Sequence, residues 1–191
     1  MIVPQTDVQG GIATVVNGYR RYGIDKGYEL SFVESYCDGS KWDKLRKAIC
    51  GYFIFAKELI FNKPDIVHIH SSFGPSFYRK IPFIYMAKIA GVKLVNHIHG
   101  AEVDKLYHNP EGRKIKLVKK IYNKCDVLLV LSDEWKEELS KIVSKDKIVI
   151  VENYCHIPKL EKGIRKRQIL FLGAICERKD VLIFRIYIRR L

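Results

Sequence analysis

Short apolar runs alternate with longer amphipathic stretches from residue 1 to about residue 151, and this alternation limits the chain to one class of fold. Asp126-Val127-Leu128-Leu129-Val130-Leu131 is nearly continuous in apolar character, which fits a strand covered on both faces. Residues 1–3, 28–33, 65–69, 92–98 and 147–151 read as further strands. Residues 12–22, 42–61, 76–90, 111–124 and 133–143 read as the helices between them. In 42–61 the apolar positions Trp42, Leu45, Ile49, Phe53, Ala56 and Ile60 recur close to helical spacing. Gly10-Gly11 opens the first helix, Pro82 is expected in or near the first turn of the third, Gly91 ends it, and Ser132 caps the last. Strands and helices in this order predict an α/β protein with a Rossmann-like, doubly wound parallel sheet.

The pattern changes after residue 157. Residues 158–168 contain Pro158, Gly163 and Arg165-Lys166-Arg167 and read as a linker. Residues 169–172 restart a strand, so 169–191 reads as only the start of a second domain. A strand and a turn bury no core alone, and only about three residues precede Pro4, where a first strand normally has five or six. The expectation is a chain short of part of its first strand and most of its second domain.

Charge narrows the partners. The net charge is +13, and residues 162–191 carry nine Lys/Arg against two acids. Such a surface attracts phosphate-bearing substrates, anionic lipid or nucleic acid. No helix-turn-helix, zinc finger or aromatic–basic RNA motif supports nucleic acid. The helix holding Arg113-Lys114-Ile115-Lys116-Leu117-Val118-Lys119-Lys120 has one apolar and one cationic face, readable as a solvated surface or as a seat on anionic lipid. No 18-residue apolar run and no signal peptide occur, and five widely spaced cysteines without a C-x-x-C read as reduced thiols. A cytoplasmic protein is expected.

The candidate chemistry lies at strand ends, where open α/β sheets hold their ligands. His68 and His70 share one strand face, and so do His97 and His99. His97 and His99 are expected to reach a crevice, and Gly100 after them lets backbone approach a ligand. His68 and His70 read more simply as polar filling. Two H-x-H pairs also suit a metal-dependent hydrolase, but no carboxylate stands at a fitting position, and no metal is expected. Glu102 and Asp104 follow in the same loop; Glu102 is the candidate for hydroxyl contacts, and Asp104 reads as solvated charge. Gly10-Gly11 is either a tight turn or an anion-binding helix N-terminus; it matches neither a P-loop nor G-x-G-x-x-G. Arg178 and Lys179 could clamp a diphosphate or form a basic surface turn.

Taken in order, 8–16, Asp65-Ile66-Val67-His68-Ile69-His70, His97-Ile98-His99-Gly100-Ala101-Glu102, 126–132, 148–153 and Ile169-Leu170-Phe171-Leu172-Gly173 with Glu177-Arg178-Lys179 resemble the GT-B glycosyltransferases of family 4. The resemblance implies a retaining enzyme of bacterial polysaccharide synthesis that moves a sugar from a nucleotide-sugar co-substrate to a saccharide or lipid-linked acceptor, with no cofactor or metal. It implies that Gly10 and Gly11 lie against the donor diphosphate, that His99 acts beside the transferred sugar, and that Arg178 and Lys179 grip the diphosphate. His97 and Glu102 would face the acceptor side of the cleft. A place at the inner face of the plasma membrane follows from a lipid-linked acceptor. The sequence departs from the family at Ala174 and Asp180, and the paired glutamates of the donor half have no counterpart in it, so the chain alone is expected to be nearly inactive. A non-catalytic half-protein that binds anionic membrane or a partner chain is the alternative expectation.

Overall fold

The computed structural model describes residues 1–8, 10–23, 26–100 and 112–153. The chain divides into two units, Met1–Cys155 and His156–Leu191. The predicted linker and second-domain strand therefore lie outside the described residues.

Six strands form one parallel sheet: β1 (Ile2–Val3), β2 (Val33–Glu34), β3 (Ile66–Ser71), β4 (Lys93–Ile98), β5 (Val127–Val130) and β6 (Ile148–Ile150). Their order is β2-β1-β3-β4-β5-β6, so the winding reverses between β1 and β3. The connecting helices are α1 (Gly11–Tyr22), α2 (Lys41–Phe61), α3 (Pro75–Ile89), α4 (Arg113–Tyr122) and α5 (Asp133–Ser140). The expected doubly wound architecture is the one observed. Ile69, Leu94, Ile98, Leu128 and Val130 are fully buried beside Phe83, Ile121 and Tyr122 and make the centre of the core.

Three local expectations change. Of residues 28–33 only Val33 joins a strand, because β1 offers only Ile2 and Val3 as ladder partners. Pro82 stands in the interior of α3, while Pro75 occupies its first turn. Pro82 lacks an N–H for the preceding turn, yet the helix continues because Phe83, Ile84 and Ala87 anchor its second half in the core. On β5 one face is fully buried and the other, Val127 and Leu129, only half so.

α2 is set close on β2. Ser40 caps it through a reciprocal box with Asp43, and Ala48, Gly51 and Phe55 make its buried face. A Cβ on Gly51 would fall 2.8 Å from the backbone oxygen of Glu34, so glycine is what lets the helix approach. The apolar series that marks this helix in the sequence is not its buried side. Trp42 is 78% exposed, Phe53 74% and Ile60 64%, with Leu45 and Ile49 also exposed. At 100° per residue these positions form one stripe opposite Gly51 and Phe55, about 30 Å long. Among the described residues no helix is long and apolar enough to cross a membrane.

Candidate functional site

A cleft of about 470 Å³ opens at the carboxyl ends of β1, β2, β3 and β4, across the point where the winding reverses. Gly10 and Gly11 line one side, Ser35 and Tyr36 follow β2, Ser72 to Pro75 follow β3, and His99 and Gly100 follow β4. The stretches after β2, β3 and β4 are the first few residues beyond each strand, and Gly10-Gly11 closes the longer loop after β1.

Gly10 is the N-cap of α1 and provides no side-chain cap, so the first-turn N–H groups of the helix keep their donor capacity. A Cβ added at Gly10 or Gly11 would meet nothing within 4 Å. The space before this helix end is the cleft itself, which suits an anion. Gly100 has φ 127°, a backbone shape that favours glycine, and its missing side chain leaves room for Ser72.

His99 is only 6% exposed, yet it lines the cleft together with His70. His70 Nδ1 and His99 Nε2 are 3.0 Å apart, so one ring donates and the other accepts. Register explains the meeting. His70 stands opposite His97 across β3 and β4, and alternation then puts His68, His70, His97 and His99 on one face of the sheet. The His68 and His70 rings stack at 4.4 Å, the His97 and His99 rings lie 4.0 Å apart, and Tyr19 of α1 covers His70 at 5.9 Å. Burial, the largest cause, lowers the pKa of His97 to about 4 and those of His68 and His99 to about 3; that of His70 falls too. All four are neutral imidazoles near pH 7.

His97, expected on the cleft wall, lies beneath it. It is 1% exposed, and both its ring nitrogens lack hydrogen-bond partners among the described residues. His68 is also off the wall. Ring nitrogens of His68, His70 and His97 lie within 4.8 Å of one another, a grouping that could hold a metal ion. Glu102, Asp104, Arg178 and Lys179 lie outside the described residues.

The sequence reading passed over the strongest charges in the cleft. Lys80 and Arg79 of α3 both line it, and among the described residues no carboxylate does. The Lys80 ammonium is buried and donates to Ser35 Oγ, and burial holds its pKa well below the usual lysine range. Arg79 lies over the Tyr36 ring at 4.6 Å, and its Nε has no hydrogen-bond partner among the described residues. A signal was present: Phe77, Lys80, Ile84 and Ala87 follow helical spacing, so a cation occupies a position of the buried stripe. The Arg79 guanidinium, the Lys80 amine, two imidazoles and an uncapped helix end converge on one opening, an arrangement that takes an anionic, hydroxyl-bearing ligand.

Residues 9–155 match the family model described as Glycosyltransferase Family 4. No curated protein matches the chain at a significant level.

Proposed function

The chain belongs to glycosyltransferase family 4, and from that premise we propose that its cleft is the acceptor-side wall of a retaining, metal-independent sugar transfer from a nucleotide-sugar donor. The observation that carries the reading is the convergence of Gly10, Gly11 and His99 on one opening. The donor diphosphate rests against the glycines and the N-terminus of α1, where unpaired N–H groups meet its charge. The bond from the sugar to the diphosphate breaks, its electron pair leaves on the phosphate oxygen, the acceptor hydroxyl oxygen forms the new bond to the sugar, and the hydroxyl proton passes to the departing phosphate oxygen. His99, neutral and held by His70, donates a hydrogen bond to the sugar during this step. Arg178 and Lys179 supply the grip on the diphosphate that the family likeness implies. The Arg79 guanidinium on the cleft wall favours an acceptor with negative charge near its accepting hydroxyl, as in a lipid-linked saccharide of a polysaccharide pathway, and the Lys80 amine beside it adds N–H donors.

The exposed stripe of α2 supports a membrane seat for this acceptor. Trp42, Leu45, Ile49, Phe53 and Ile60 offer an apolar strip, and Lys41, Lys44, Arg46 and Lys57 lie on the same helix. Apolar insertion thus belongs to α2, and the exposed lysines of α4 add attraction to anionic lipid.

Labelled-sugar transfer to a lipid extract tests the reading, with the chain fused to the donor-binding half of a family 4 enzyme. His99→Ala is expected to lower turnover on the order of 10²-fold. A variant as active as the parent fusion contradicts the role given to His99.

A further inference from the structure

Four ring nitrogens at and beneath the cleft floor have no hydrogen-bond partner among the described residues: His68 Nε2, His70 Nε2, and Nδ1 and Nε2 of His97. A neutral imidazole carries one N–H and one lone pair, and leaving either unmatched in a buried place costs roughly 1–3 kcal/mol. Buried polar groups in folded proteins are nearly always satisfied, so a cluster of orphans asks for an occupant. His70 and His97 are each 1% exposed, and the three side chains present ligand atoms within 4.8 Å of one another.

The chemistry of the set selects the occupant. Three neutral imidazoles, with no carboxylate or thiolate in the group, are poor ligands for calcium or magnesium and good ones for zinc-class ions. A tetrahedral zinc site has nitrogens about 3.4 Å apart, so the rings need to close by on the order of 1 Å. The two amines nearby, Lys80 and the Met1 terminus, are both driven toward their neutral forms by burial, which weakens their repulsion of a cation.

We propose that His68, His70 and His97 form a binding site for one divalent transition-metal ion of the zinc class, beneath the cleft and out of contact with the sugar and the diphosphate. The fourth position is open to water. The site ties β3 to β4 just before their carboxyl ends. It also acts on the cleft through a proton. With the metal on His70 Nε2, the His70 proton stays on Nδ1 and is donated to His99 Nε2 across the 3.0 Å contact. His99 must then carry its own proton on Nδ1. Metal occupancy thereby fixes the tautomer of the residue that faces the ligand.

The test is titration of the chelator-stripped, full 191-residue chain with zinc chloride by calorimetry and with cobalt(II) by visible absorption. One equivalent is expected to bind, with ligand-field bands of a four- or five-coordinate cobalt site and no thiolate charge-transfer band. His97→Ala and His68→Gln are each expected to weaken binding by about tenfold or more, while His99→Asn keeps one equivalent. Circular dichroism checks that each variant folds; His68, the most accessible of the three, keeps the test open if His97→Ala does not fold. Absence of equimolar binding overturns the proposal. So does binding that survives both substitutions, or a thiolate band, since either places the metal elsewhere on the chain.

Discussion

Among the described residues the His99 ring is oriented by another imidazole rather than by a carboxylate. Its partner His70 is itself stacked on His68 and covered by Tyr19, so the orientation is set by packing within a group of neutral rings. This arrangement carries a penalty in acid. In the metal-free chain the folded-state values are about 4 for His97 and about 3 for His68 and His99, against 6.5 for an unperturbed histidine. The unfolded chain therefore binds more protons than the folded one below about pH 6.5. Stability is expected to fall as pH drops through 6.5 and to go on falling toward the folded-state values. Urea unfolding with chelator at pH 7.5 and pH 5 measures this, and equal midpoints at the two values contradict it. Sequence alone could pair His68 with His70 and His97 with His99, because alternation along a strand is local. It could not join the two pairs, because that depends on the register between β3 and β4.

α2 shows what an element's sequence says and what it withholds. Its extent was legible within one residue, since spacing is a property of the segment itself. Which of its two apolar sides faces the sheet was not, because both sides carry large hydrophobic residues and only the fit to β2 decides. Gly51 makes that decision. Alanine in place of a helical glycine normally stabilises by up to about 1 kcal/mol, but here its Cβ would press on the Glu34 carbonyl at 2.8 Å. Gly51→Ala is expected to lower the thermal midpoint, and a raised midpoint would show that α2 has room to spare. The outward stripe makes a separate prediction. Trp42→Glu with Phe53→Glu should abolish flotation with anionic liposomes while leaving the fold intact by circular dichroism. Neutralising Lys116, Lys119 and Lys120 should only weaken it. Undiminished flotation of the double variant would remove α2 from the membrane contact.

At the scale of the whole molecule, the sheet order puts the winding reversal between β1 and β3, and the cleft follows from that order. The alternation of strands and helices was enough to foresee the architecture. Lys80 and Arg79 were not legible because their importance depends on where α3 comes to rest, with the Lys80 amine against Ser35 and the Arg79 guanidinium over Tyr36. The account stands on the glycine turn and His99 bordering one ligand. The most direct measurement is a nuclear magnetic resonance titration of the labelled chain with nucleoside-diphosphate sugars. The account predicts that the Gly10 and Gly11 amides and the His99 imidazole shift together along one binding curve. Saturation that moves other signals and leaves these three in place would contradict it.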